Sequence, residues 1–148
     1  MKKVSILPPT YLFIFLILSI FFHFLFPILI ISDVYRFFGV IFVVMGILLN
    51  IWADNIFKKE GTTVKPNKIP SRLVTKGPFQ FSRHPMYLGS VLILLGVSIT
   101  LGSVSSFFSP LMMFLVLEKK FIPLEEHQMK KQFGEKYLIY KKNVRRWL

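Results

Sequence analysis

Cysteine is absent from the 148 residues, which excludes disulfides, thiolate metal sites, cysteine nucleophiles and Cys-ligated iron–sulfur clusters. Histidine is scarce. His23, His84 and His127 stand far apart, without metal-ligand spacing, so no metal is expected. No Gly-rich strand–turn–helix fingerprint of a dinucleotide-binding domain occurs. Internal repeats and low-complexity segments are missing too. Acidic residues number 7 against 19 Lys and Arg, giving a formal net charge of +12. In a soluble protein such a balance points to nucleic acid. Here the charges lie between and after long apolar runs, so an anionic membrane surface is the expected partner, and nucleic acid is not.

What the chain has in excess is apolar surface. Hydrophobic residues make up 53%, with 17 Phe, more than one soluble core of this size can hide. The expected fold class is all-α: a polytopic membrane protein of about four transmembrane helices, forming one domain over 1–148. The first span is expected at roughly 9–31, since a crossing takes about 20 residues. Its length, its aromatic content and the lack of a following small-residue cleavage site argue against a signal peptide. Pro27 should kink its far end. The second is expected at 34–57, with Ser32 and Asp33 available as caps. Gly39, Gly46 and Ala53 recur every seven residues, a small-residue stripe suited to close helix contact in lipid. The third and fourth are expected at 85–101 and 104–120, a tight hairpin around Gly102. A basic cytoplasmic loop over 58–84 and a cytoplasmic amphipathic tail over 121–148 complete the chain. The tail's apolar stripe is Leu124, Met129, Phe133, Tyr137 and Tyr140, read as one or two helices along the membrane surface.

Lys and Arg decide the orientation. Lys2 and Lys3 precede the first run; Lys58, Lys59, Lys65, Lys68, Arg72, Lys76 and Arg83 lie in the long loop; the tail is lysine-rich throughout. The other two connections hold only Arg36. Four spans place all the basic segments on one side, which the positive-inside rule makes the cytoplasm, with both termini there.

Two groups of residues suggest chemistry. Arg83-His84-Pro85-Met86-Tyr87 puts a cation, an imidazole and a phenol at the start of a helix, where unpaired backbone N–H groups favour anions such as a ligand carboxylate. Glu125-Glu126, on the same side, offers a counter-charge to an ammonium or sulfonium group. The plainer alternative has equal weight on physics alone: Arg83 on lipid phosphate, Tyr87 in the interfacial belt, the glutamates paired with lysines. His23 reads as a polar residue tucked between helices, Asn50 and Asp54 as structural hydrogen-bonding groups on one helix face that also contribute to the rim of the site, and Trp52 and Trp147 as interfacial anchors.

At these residues the sequence resembles the isoprenylcysteine carboxyl methyltransferase family and its relatives, the phospholipid N-methyltransferases. The resemblance spans roughly 40–148. It rests on Arg83-His84-Pro85-Met86-Tyr87-Leu88-Gly89, on Glu125-Glu126, on Phe133-Gly134-Glu135-Lys136-Tyr137-Leu138-Ile139-Tyr140 and on Val144-Arg145-Arg146. Gly61-Thr62-Thr63-Val64-Lys65-Pro66 is similar to prokaryotic members, which implies a multi-pass protein of a prokaryotic inner or plasma membrane. The resemblance implies S-adenosyl-L-methionine as cofactor and a lipophilic or lipid acceptor. By position, His84 and Tyr87 would contact the cofactor, Glu125 would face its ammonium group with Glu126 in support, and Leu73, Val74 and Phe79 would line the adenosine end. An Arg that some members turn to a substrate carboxylate falls on Phe121, leaving Arg83 and Arg146 as the candidates for that catalytic role. The expected reaction is methyl transfer to a carboxylate oxygen or an amine nitrogen. The rival expectations are an NADPH-dependent membrane sterol or enone reductase and a non-catalytic membrane subunit.

Overall fold

The computed structural model describes residues 7–61 and 71–148. Lys2, Lys3, Lys65, Lys68 and the stretch 62–66 therefore lie outside the described residues. The described chain is helical: α1 (Pro8–Leu25), α2 (Asp33–Lys59), α3 (Pro85–Leu101), α4 (Phe108–Val116), α5 (Ile122–Phe133) and α6 (Glu135–Asn143). α1 and α2 are long and apolar enough to cross a membrane, and α3 is a shorter apolar helix.

The first expectation to fail is the end of α1. It stops at Leu25 and does not continue to Ile31 with a kink. Pro27 lacks an N–H and disfavours helical geometry at the residue before it, and Phe26 has left the helix at φ −132° and ψ 77°. The released backbone finds partners in the α3–α4 turn. Ile30 N donates to Gly102 O at 2.9 Å and Val104 N to Ile28 O at 3.0 Å. These bonds satisfy the backbone of an irregular apolar segment. Ser32 stands at the N-cap of α2 but makes no side-chain cap bond. Asp33 instead pairs with Arg36 Nη1 at 3.0 Å.

The stripe of small residues on α2 does what its spacing suggests. Gly39 and Gly46 lie against Gly96 and Gly89 of α3, in antiparallel order. A Cβ on Gly46 would sit 2.5 Å from Gly89 O, and one on Gly96 would sit 2.5 Å from Gly39 O. Backbone touches backbone along this seam, and Ala53 continues it fully buried. Asn50 packs its amide against Gly89, while Asp54 pairs with Lys58 one turn on. His23 is tucked between elements as expected, its Nδ1 2.9 Å from Ser103 Oγ.

The fourth apolar run is not one regular helix. A 3₁₀ turn over Val104–Phe107 leads into α4, and a π-helical turn over Leu117–Phe121 joins α4 to α5. Pro110 falls in the first turn of α4, where its missing N–H costs nothing. Pro123 accounts for the π turn. Its ring would meet the carbonyl four residues back, so the ladder widens there and Ile122 N donates to Leu117 O.

The main core joins Phe15, Tyr87, Leu94, Met113, Leu117, Phe121 and Ile122. A smaller one joins Ala53, Val74 and Phe79. The outer faces of α1 and α2 stay apolar and exposed, with Phe24, Val34 and Phe37 each more than 70% accessible, a surface suited to acyl chains. Two residues of the tail's apolar stripe, Tyr137 and Tyr140, are buried, and α6 packs back on the segment before α3.

The glycine seam leaves no room for even one methyl group. Gly46→Ala is expected to lower stability by about 1–3 kcal/mol, the usual range for overpacking. Denaturant unfolding in detergent micelles measures this, with Val34→Ala on the exposed outer face of α2 as the mild comparison.

Candidate functional site

The site is assembled from three pieces: the segment leading into α3, the first turn of α5, and the chain after α6. Gly77 takes φ +60° to start a 3₁₀ turn over Gly77–Gln80, packed on Ile56 and Trp52. The turn drives Phe79 against Phe57, ring centres 4.9 Å apart, and holds Pro78 buried. Ser82 Oγ then accepts from His84 N at 3.2 Å and donates to Arg146 O at 3.2 Å. Arg83 N donates to Arg145 O at 3.0 Å. Tyr140 OH donates to Phe79 O at 2.7 Å. These bonds pin the C-terminal strand of chain, 144–147, across the start of α3.

Pro85 opens α3, which places Tyr87 two residues further round its first turn, stacked on His84 with ring centres 5.5 Å apart and planes 3° from parallel. The phenol donates to Glu125 Oε1. His84 Nδ1 lies 3.5 Å from Glu125 Oε2, and its Nε2 lies 3.7 Å from Glu126 Oε1. The π turn ahead of α5 sets the rotation that turns both glutamates toward α3.

The two glutamates have opposite surroundings. Glu126 is 7% exposed and meets cations on every side: Arg83 Nη2 at 3.0 Å, Arg146 Nε at 3.1 Å and Lys141 Nζ at 2.9 Å. Arg146 reaches it bidentately and also binds Glu118, which takes the Trp147 indole N–H at 2.8 Å. Glu125 has only the phenol and the imidazole, and is 24% exposed. Among the described residues no Lys or Arg neutralises it.

Electrostatics follow from this packing. Burial works against a charged Glu126, yet His84, Arg146, Lys141 and Arg83 outweigh it and hold its carboxyl below the usual carboxylate range. Burial also works against a protonated His84, and Glu125 and Glu126 overcome it to raise the imidazole above its ordinary value. Burial pushes the Tyr137 phenol up to about 12. Arg83 keeps a free capacity: its side chain is 8% exposed, and its Nε and Nη1 are buried without a hydrogen-bond partner among the described residues.

Of the residues expected from sequence, Arg83, His84, Tyr87, Glu125, Glu126 and Arg146 meet here. Val74 and Phe79 sit in the adjacent small core with Ala53, and Leu73 is half-buried beside them in sequence. Trp147 is not a bare interfacial anchor: it donates to Glu118 and packs its ring 4.8 Å from Phe114. Sequence reasoning missed Glu118 and Lys141. Neither belongs to a motif, and each reaches the cluster only through tertiary folding. Tyr140 lay in the Tyr137–Tyr140 pattern and was read only for apolarity and resemblance.

A family model described as phospholipid methyltransferase matches residues 34–136. It covers α2 to the start of α6 and stops before Lys141 and Arg146. An uncharacterized protein of Haemophilus influenzae is 38% identical over 63 residues, 43% of this chain and 100% of its own length. Protein-S-isoprenylcysteine O-methyltransferase B of Arabidopsis thaliana is 35% identical over 77 residues, 49% of this chain and 37% of its own. Protein-S-isoprenylcysteine O-methyltransferase of Schizosaccharomyces pombe is 40% identical over 75 residues, 49% of this chain and 30% of its own. The chain thus spans about a third of the length of the two named methyltransferases.

Two measurements test the cluster. Glu126→Gln leaves the buried Arg83 charge uncompensated and is expected to cost about 3–5 kcal/mol in denaturant unfolding. The pH profile should show a plateau. His84 is raised from 6.5, so its contribution is complete below that value and is lost as pH climbs through the higher folded pKa. Glu126 is lowered from 4.5, so its contribution is complete above that value and is lost as pH falls through the lower folded pKa. His84→Gln should flatten the alkaline side of the melting-midpoint profile and, because His84 helps hold Glu126 low, reduce the acid-side loss as well.

Proposed function

The chain belongs to the phospholipid methyltransferase family, and on that premise we propose that it transfers a methyl group from S-adenosyl-L-methionine to a lipophilic acceptor at the cytoplasmic membrane face. The observation that carries this reading is the contrast between the two glutamates. Among the described residues Glu125 is a carboxylate without a basic partner beyond His84, open enough to be reached, and held still by the Tyr87 phenol. A positively charged ammonium or sulfonium group suits it. Arg83, with two buried N–H groups free beside it, suits a carboxylate. Together they match the two ends of a zwitterionic amino-acid moiety, which is the fit the cofactor requires. Val74, Phe79 and the neighbouring Leu73 supply an apolar wall for its adenosine end.

The cofactor, when bound, supplies an electrophilic methyl group on sulfur. The chain's residues have little acid–base work to do. Tyr87 and His84 orient Glu125, and Glu126 with Arg146 and Lys141 holds Arg83 in place. Alignment of the acceptor and exclusion of water provide most of the rate. A carboxylate acceptor attacks as it stands; an amine attacks in its neutral form.

The same reading extends to topology. α1, α2, α3 and the run 104–120 form four spans, with the segment before α3 and the tail both cytoplasmic. The acceptor enters sideways from the bilayer and the cofactor from the cytosol. Two helices long and apolar enough to cross a membrane are consistent with this, and the one-sidedness of the basic residues supports it.

Incubation with labelled S-adenosyl-L-methionine and a total lipid extract should label a lipid product. Calorimetry should find binding of the cofactor, weakened at least tenfold by Glu125→Ala and by His84→Ala. Tight NADPH binding with none for S-adenosyl-L-methionine would move the chain to the reductases. Cysteines placed at Gly102 and Lys76 should react from opposite sides of a sealed membrane; the same sidedness would break the four-span arrangement.

A further inference from the structure

Glu126 also faces a concavity whose lining includes two residues, His127 and Lys130, that have no part in the methyl-transfer reading. It is a crevice of about 300 Å³ between α5 and α6. Glu126, His127 and Lys130 line it from α5, Tyr137 and Lys141 from α6, and Arg146 from the chain beyond. The spacing accounts for the lining: 123, 126, 127 and 130 form one face of α5, and 137, 138 and 141 one face of α6. The turn at Gly134, with φ +51°, folds the two faces together.

The charge of this crevice is unbalanced. Its ionised lining is Lys130, Lys141 and Arg146 against Glu126 alone. Glu126 already has cations around it, including Arg83 from behind. The side chains of Lys130 and His127 have no hydrogen bond or ion pair among the described residues. Cationic donors therefore converge on one space from two helices and the C-terminal strap; Lys141 and Arg146 are engaged by Glu126 and Glu118, and Lys130 is left without a counter-charge among the described residues. A concave site of this kind focuses anions.

We propose that the α5–α6 crevice binds a phosphate group, with Lys130 and His127 as its dedicated contacts and Lys141 as a contact shared with Glu126. A tetrahedral anion suits the arrangement better than a planar carboxylate. A carboxylate is best served by one bidentate Arg, and Arg146 is already engaged bidentately by Glu126. Lysines approaching from separate helices act as point charges that phosphate oxygens can share. The phosphate belongs either to an anionic lipid headgroup or to a soluble ion. The site shares a wall, Glu126, with the methyl-donor site but does not depend on the identity of that donor.

The test is calorimetry on the full chain in detergent micelles at constant ionic strength. One arm titrates inorganic phosphate, and the other a short-chain phosphatidic acid below its micellar concentration. Each arm is run on the parent chain, on Lys130→Gln and on His127→Gln. Lys130→Gln should weaken phosphate binding about tenfold or more, the loss expected for one hydrogen bond to a charged group. S-adenosyl-L-methionine affinity, measured in parallel, should not change. Saturation in the lipid arm alone assigns the site to a headgroup, and in the inorganic arm alone to a soluble phosphate; both support the proposal. No saturable binding in either arm, or binding that neither substitution weakens, overturns it. Failure of S-adenosyl-L-methionine to bind the parent chain would count against the methyl-transfer reading only.

Discussion

A single buried carboxylate holds this protein's distant segments together. Glu126 sits under the start of α3 with Arg83, His84, Lys141 and Arg146 around it. Those five residues come from the segment before α3, from α5, from α6 and from the chain's last residues. A charge taken so far out of water is tolerable only when partners compensate it, so each segment is committed by the others. The cost of removing any partner falls on the whole arrangement. Glu118 extends the network by binding Arg146 and Trp147 from the π turn, which fastens the C-terminal strap to the main core.

Beneath that cluster lies a different kind of rigidity. α2 and α3 meet backbone to backbone at Gly39–Gly96 and Gly46–Gly89. Small residues replace side-chain packing with close van der Waals contact, which remains effective where lipid removes the hydrophobic drive between helices. The seam fixes α3, and α3 carries His84 and Tyr87 at its start. The ion cluster then draws α5 and the tail onto that fixed point. Precision at the Tyr87–Glu125 contact thus rests on two mechanisms, one steric and one electrostatic.

The division of labour between Glu125 and Glu126 follows from neighbours, not from identity. Two adjacent carboxylates on one helix both reach His84 and otherwise meet different neighbours. One is saturated by cations and serves structure; the other keeps an unmatched charge and has a phenol to orient it. The family match ends before Lys141 and Arg146, so the residues that saturate Glu126 lie partly beyond the matched region. The same saturation leaves a cationic excess on the outer face of the cluster, in the α5–α6 crevice.

Much of this was legible in the chain itself. A period of seven in Gly39, Gly46 and Ala53 announced a close helix contact because a helix repeats its face on nearly that spacing. The apolar runs located α1, α2 and α3, since a helix of that length needs an apolar surround. Arg83-His84-Pro85-Met86-Tyr87 and Glu125-Glu126 marked the site through resemblance and through the chemistry of their side chains. Other features required the fold. Helix α1 ends before Pro27 because the released backbone finds partners at Gly102 and Val104, some 75 residues on. The π turn arises where Pro123 meets the preceding carbonyls within a helix that packing keeps continuous. Glu118, Lys141 and Trp147 join the site across long stretches of chain, and no local pattern encodes such a meeting. Sequence determined which segments are helical and which side chains carry charge, because both are properties of neighbouring residues. Tertiary structure decided which carboxylate is neutralised and which is left free, because that depends on charges brought together from four separate segments.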